Sequence, residues 1–192
     1  MSTYFSSDWH LGHSNIIRYD GRPFKNVEEM DHAIISNVVG QLKEDDILYY
    51  LGDFALTRSV NAMEGYMKAL ALTGAELFFI KGNHDKRDTI RLYEKYGTYL
   101  GEQRKIKIPL VNGEEREIVL NHYAMRVWDK SHRGTWHLYG HSHHSLPDLK
   151  DSLSFDVGIN GWDYKLVSFK QVQEKMANKE YKPIDHHKPD RE

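Results

Sequence analysis

Apolar positions along the first hundred residues switch between two periods, and the switches mark the elements. Residues 3–7 form a short strand-like run that passes straight into Asp8. Residues 27–42 carry Val27, Met30, Ala33, Ile34 and Val38 at helical spacing, which predicts a helix. Residues 46–51 are a compact apolar strand closed by Gly52-Asp53, and residues 60–72 place Met63, Tyr66, Met67 and Leu70 on one helical face, with Gly74 as the expected cap. A third strand, residues 76–80, stops at Lys81-Gly82-Asn83-His84-Asp85, and a helix follows over residues 87–96. Strand and helix therefore alternate through this half.

From residue 103 the period shortens. Residues 104–110 and 117–120 alternate as strands on either side of Asn112-Gly113, the signature of a hairpin, so antiparallel sheet is expected here. Short strands are also predicted at residues 136–139, 154–157 and 166–169, the last leading into a terminal helix of about ten residues. Residues 180–192 carry Pro183, Pro189 and mostly charged side chains, which predicts a frayed tail after a domain spanning residues 1–179. The expected fold class is α/β: two sheets packed as a β-sandwich and flanked by helices.

Composition narrows the function. The 192 residues suit one domain, able to bury roughly 70% of the surface its unfolded chain exposes. With 26 basic and 28 acidic side chains the net charge is −2, so no global attraction draws the chain to nucleic acid or anionic membranes. Stable nucleic-acid binding is not expected. Cysteine is absent, which excludes disulfides, thiolate metal sites and a cysteine nucleophile, and leaves metal chemistry to nitrogen and oxygen ligands. The first residues lack the basic and apolar regions of a signal peptide, and no stretch has the roughly 18 consecutive apolar residues of a membrane span, so a cytoplasmic location is expected.

Histidine is the unusual component, at 12 residues, and five histidines fall in short motifs that each follow a predicted strand. The motifs are Asp8-x-His10, Gly52-Asp53, Gly82-Asn83-His84-Asp85, Asn121-His122 and Gly140-His141-Ser142-His143. Polar residues just past several strand ends converge in the crevice of an open α/β sheet. In Asp8-Trp9-His10 the alternation of an extended chain would point both polar side chains to one side, and the same holds for His141 and His143. Two carboxylates, one carboxamide and four imidazoles form a ligand set suited to Mn²⁺, Fe, Zn²⁺, Co²⁺ or Ni²⁺ rather than Ca²⁺. The glycines before Asp53, Asn83 and His141 allow sharp turns and close backbone approach.

These five blocks, in this order, resemble the calcineurin-like binuclear metallophosphoesterases, most closely the small stand-alone type of bacteria and phages. The likeness runs from the first strand to about Phe169 and includes residues 7–17 and 128–143. It implies a four-layer α/β/β/α fold holding two divalent ions, Mn²⁺ first among them. Asp8, His10, Asp53 and His143 would bind the first ion, with Asp53 bridging, and Asp53, Asn83, His122 and His141 the second. His84 would contact the scissile phosphate and protonate the leaving group, while Asp85 orients its imidazole. The implied reaction is attack of a metal-bridging hydroxide on a small phosphoester.

Charge counting agrees with that implication: two divalent ions, two carboxylates and a hydroxide leave one net positive charge to attract a phosphate. His13, His132 and Arg18 are placed at the substrate pocket together with Asn83 and His84. Arg22, Lys81, Lys86 and Arg87 are solvated charge by default. Trp128 and Trp162 are candidates for stacking on a base. The favoured reading is a phosphodiesterase for nucleotide-like substrates. The alternatives are a phosphomonoesterase of the same fold and a metal-binding scaffold without catalysis, the latter disfavoured because His84 is retained. A protein phosphatase is disfavoured because Phe54-Ala55-Leu56-Thr57 follows Asp53 and Lys81 precedes Gly82. A metallo-β-lactamase-like arrangement at His141-Ser142-His143-His144 lacks the expected aspartate and ranks last. The sequence leaves the oligomeric state open.

Overall fold

The computed structural model describes residues 1–57, 59–110 and 113–184. Its first half contains β1 (Thr3–Ser6), α1 (Ser14–Tyr19), α2 (Val27–Gln41), β2 (Ile47–Tyr50), α3 (Val60–Ala71), β3 (Glu76–Phe79), α4 (Arg87–Tyr96) and β4 (Thr98–Tyr99). The second half contributes β5 (Gln103–Pro109), β6 (Glu115–Asn121), β7 (Trp136–Tyr139), β8 (Ser154–Asp156), β9 (Val167–Ser168) and α5 (Phe169–Ala177). The strands form two mixed sheets, ordered β4-β3-β2-β1-β9 and β5-β6-β7-β8. Together with their helices they make the expected α/β arrangement of two sheets flanked by helices.

Strand alternation divides the core between two layers. On β1 and β2, Tyr4, Leu48 and Tyr50 face α2, α3 and α4, whereas Phe5, Tyr49 and Leu51 face the second sheet. The helix layer supplies Met30, Ile34 and Val38 from α2, Met63, Met67 and Leu70 from α3, and Leu92 and Tyr93 from α4. Between the sheets, Phe5, Leu51 and Ile80 meet Ile118, Leu120, Leu138 and Phe155, and α5 adds Val172 and Met176. The outer face of the second sheet carries His137 and Tyr139, covered by the connection over residues 122–135.

Several helix starts obey local chemistry. Asn26 accepts from the Glu29 amide, Ser59 from the Ala62 amide, and Ser168 forms a reciprocal capping box with Gln171. Gly74 does not cap α3 directly: Leu72 does, and Gly74 takes a left-handed turn at φ 78° two residues later.

Two expectations need correction. The second sheet is antiparallel only between β5 and β6; β6, β7 and β8 run parallel, because residues 122–135 and 140–153 are long enough to return the chain to its starting edge. The tail expected to fray from residue 180 is docked at its start. The Glu180 and Lys182 amides donate to the Lys150 and Asp151 carbonyls, and the Tyr181 hydroxyl donates to the Ser131 carbonyl. Residues 185–192 of the tail, and Asn112 of the hairpin turn, lie outside the described residues. Among the described residues no helix is long and apolar enough to cross a membrane.

Candidate metal centre

The five motifs occupy loops that leave the carboxyl ends of β1, β2, β3, β6 and β7, and backbone hydrogen bonds stitch these loops to one another. The Asp8 amide donates to the Gly52 carbonyl at 3.0 Å and the His10 amide to the Asp53 carbonyl at 3.1 Å. The His84 amide donates to Asp53 Oδ1 at 2.8 Å, and the His141 amide to the Asp8 carboxylate at 2.9 Å. Close approach at two glycines is obligatory. A Cβ on Gly82 would lie 2.2 Å from Asp53 Oδ1, and one on Gly140 would lie 2.1 Å from Ser7 Oγ and 2.5 Å from Asp8 Oδ2.

Asp8 and His10 do not share a face through extended alternation, as their spacing suggested. Both sit in the left-handed region, at φ 61° and 52°, as do Asp53 at 60°, His141 at 66° and His143 at 47°. Such a backbone costs a non-glycine residue about 1–2 kcal/mol, so five together mark stored strain where the chain aims its polar side chains inward.

Two groups of three converge. Asp8, His10 and His143 form one, Asp53, His122 and His141 the other, and within each the potential ligand atoms lie within 4.8 Å of one another. Asp53 Oδ2 lies between them, 3.7 Å from His10 Nε2 and 3.4 Å from His122 Nε2. Asn83 joins the second group: its Oδ1 is 2.9 Å from both His122 Nε2 and His141 Nδ1.

Hydrogen bonding sets the ring nitrogens as acceptors toward these centres. His122 Nδ1 lies 2.8 Å from the Leu51 carbonyl and must donate to it, so Nε2 keeps its lone pair and confronts Asn83 Oδ1, itself an acceptor. His143 Nδ1 donates to Asp20 at 2.7 Å, which points its Nε2 at His10 Nε2, 3.1 Å away. Each facing pair has room for a proton or a metal ion between its members. A nitrogen and oxygen set of this kind fits divalent transition ions in both groups.

The electrostatics give the first group a testable proton. Burial alone would lower His143, but hydrogen bonds to Asp20 and Asp8 outweigh it and raise the imidazole to about 10. Burial dominates at His10 and lowers it to about 4, against the pull of Asp8 and Asp53. At neutral pH the metal-free group therefore holds one proton, on His143, and an ion must displace it. Affinity at this group is expected to weaken as the pH falls and the proton competes more strongly, with loss of activity in acid following loss of metal. Calorimetry in buffers of different ionisation heat should show about one proton released per ion bound there near pH 7. Uptake without proton release would contradict the assignment.

Residues the sequence did not single out hold the ligands in place. Asp20 Oδ2 accepts from His143 and, at 2.8 Å, from Asn160 Nδ2, with Arg22 Nε 3.5 Å away. Arg22, expected as solvated charge, is 3% exposed and donates to the Asp8 and Trp9 carbonyls at 2.8 Å each. It ties down the loop after β1. The Asp20→Asn variant should keep its fold yet bind metal about 10- to 100-fold more weakly, the usual cost of losing a partner behind a ligand histidine. Competition with a fluorescent chelator measures this directly.

Asp85 also departs from expectation. Its carboxylate does not orient the His84 ring: it accepts from the Gly82, Asp53 and Phe54 amides at 2.8, 3.0 and 3.1 Å and from the Tyr93 hydroxyl at 2.9 Å. Being 3% exposed, it fastens the Asp53 loop to the loop after β3. His84 itself is exposed, with its ring 5.4 Å from that of His10. The His13 ring lies 5.8 Å from His10, at the rim. Arg18 is exposed over the Tyr19 ring at 5.2 Å, and His132 sits in a 3₁₀ turn at Ser131–Arg133, within charge range of Asp129. His144 turns away from both groups, toward the Gly158 carbonyl at 3.0 Å.

Residues 1–145 match the sequence profile of the calcineurin-like phosphoesterases. An uncharacterised protein of Methanocaldococcus jannaschii, MJ1445, is 33% identical over 171 residues, covering 86% of this chain and 85% of its own length. The gene 66 protein of Mycobacterium phage D29 is 23% identical, covering 92% of this chain and 96% of its own. The crystal structure of AQ665 from Aquifex aeolicus, a protein of unknown function, shares the fold with a TM-score of 0.65 at 21% identity, over 90% of this chain and 98% of that one.

Proposed function

Because the chain belongs to the calcineurin-like phosphoesterase family, and is thus a metal-dependent phosphoesterase, we propose that it hydrolyses a small, nucleotide-like phosphodiester. The observation that carries the reading is the placement of Asp53 Oδ2 between the two ligand groups. In this reading Asp8, His10, His143 and Asp53 hold one ion, and Asp53, Asn83, His122 and His141 hold the other. When bound, two divalent ions supply positive charge for the phosphate and acidify a water molecule toward neutrality. Mn²⁺ is the proposed ion, given the mixture of imidazole and oxygen donors.

The protein's own groups do the rest. Asp53 Oδ1 fixes the His84 backbone, which leaves the exposed imidazole over the first group, ready to give its proton to the leaving oxygen. Asp85 acts as a positioning residue, holding the Asp53 and His84 loops together. Charge favours a diester over a monoester. One net positive charge balances a monoanion, and two of the basic side chains near the motifs are engaged elsewhere: Arg22 is buried on backbone carbonyls, and Lys81 pairs with Glu102 at 2.9 Å.

The test is hydrolysis of bis-p-nitrophenyl phosphate beside p-nitrophenyl phosphate by chelator-stripped protein, with Mn²⁺ or Zn²⁺ restored. A kcat/KM for the diester about tenfold or more above that for the monoester, and dependent on metal, is the expected outcome. A preference for the monoester would replace the diesterase reading with a phosphatase of the same fold. Binding of two ions without turnover of either ester would point to a scaffold.

A further inference from the structure

Beside the metal groups lies an apolar cavity of about 440 Å³ on the outer side of β7, where Tyr139 forms part of the wall. Its other walls come from residues 124–131, which follow His122, from residues 146–154, which follow His143, and from residues 181–184. It adjoins the metal cleft. Leu146, 48% exposed, lines both this cavity and the space of about 580 Å³ that holds His141, His143 and Asp20. On another side Tyr123 rests against His141, ring centroids 4.6 Å apart, and Ala124, the next residue, already belongs to the cavity wall.

The wall chemistry defines the ligand. Trp128 Nε1 donates to the Thr135 carbonyl at 2.8 Å, and the Tyr181 hydroxyl donates to the Ser131 carbonyl. Both aromatic residues have committed their polar tips to the protein and offer a guest ring surface alongside Met125 and Leu149, while Arg126, Asp151 and Lys182 supply charge elsewhere on a mainly apolar wall. Pockets of this size with such walls recognise apolar, ring-bearing groups by burial and stacking.

We propose that this cavity is a substrate subsite that takes an aromatic ring of the phosphoester while its phosphate sits at the metal groups. The proposal rests on the phosphoesterase reading and adds the substrate's second recognition element. Specificity then comes from the 124–131 and 146–154 connections rather than from the ligand residues, which read only the phosphate.

The experiment is calorimetric binding of two non-hydrolysable probes to the full-length, Mn²⁺-loaded protein. Methylphosphonate and naphthylmethylphosphonate share a head group and differ in the ring. The wild type should bind the naphthyl probe about tenfold or more tightly than the methyl one, from the apolar area buried. Ala124→Trp, which fills the cavity, and Leu149→Asp, which places a charge in its wall, should each cut that preference to under about threefold. Both positions are exposed, so folding is expected to survive. Equal affinity for the two probes in the wild type, or a preference untouched by both substitutions, would overturn the subsite. A concentration-dependent dimer abolished by Leu149→Asp would assign the cavity to a second copy instead. Retained ring preference without hydrolysis of any ester would uphold the subsite and sink the enzymatic reading, so the two failures are distinguishable.

Discussion

Asp53→Asn is expected to cost about 10³-fold or more in kcat/KM and to strip metal from both groups at once. The substitution is chosen for what it keeps. An asparagine Oδ1 can still accept the His84 amide that Asp53 Oδ1 accepts at 2.8 Å, so the loop after β3 stays anchored. What it removes is the charged Oδ2 between His10 and His122, and it places two N–H donors where cations should sit. A folded protein with far-UV circular dichroism unchanged, metal content near zero and no turnover is the expected triad of results. Replacing Asp8 instead should empty mainly the first group. Were Asp53→Asn to lose one ion and keep the other at wild-type affinity, the bridging role would be wrong.

The second large effect concerns His84. His84→Ala should lower kcat by about 10²- to 10⁴-fold for an alkyl phosphodiester, whose leaving oxygen needs a proton, with both metals retained. For a nitrophenyl ester, whose leaving group departs as a stable anion, the loss should be smaller by about tenfold or more. That contrast separates a proton donor from a residue that merely contacts phosphate, for which both esters would suffer alike. His84 is exposed and its side chain holds no other element, so the variant should fold. Equal losses on the two esters, measured at saturating Mn²⁺, would assign His84 to binding rather than acid catalysis.

What the sequence conveyed follows from where each signal is stored. Strong local periods placed α4 at Arg87–Tyr96 and β7 at Trp136–Tyr139 without adjustment, because burial on one face is written into neighbouring residues. The short α1 was invisible: over six residues it buries Ile16 alone, too little to make a period. Parallel pairing of β6, β7 and β8 was also hidden, since alternation looks the same whichever way a neighbour runs.

The site divides in the same manner. Motifs following strands announced the ligands as a set, and the sheets bring their loops together: the first group joins the loop after β1 to that after β7, and the second draws on the loops after β2, β6 and β7. Asp20 had no such announcement, because it lies in an irregular stretch and acts on a histidine 123 residues away. Asp85 was misread because it adjoins His84 in sequence, whereas in a tight turn adjacent side chains diverge, and its carboxylate points into the core. The left-handed backbone at Asp8, His10 and Asp53 carries only a weak residue signature, since aspartate and histidine tolerate positive φ better than most side chains but also occur widely elsewhere. Tertiary hydrogen bonds impose it.

The most direct measurement is a Mn²⁺ titration of chelator-stripped protein in which bound metal and diester hydrolysis are read from the same samples. The expected result is no hydrolysis by the stripped protein and a rise in rate that tracks occupancy and saturates at two ions per chain. Full activity without metal, or two bound ions with no hydrolysis across a panel of aromatic and nucleotide diesters, would contradict the account.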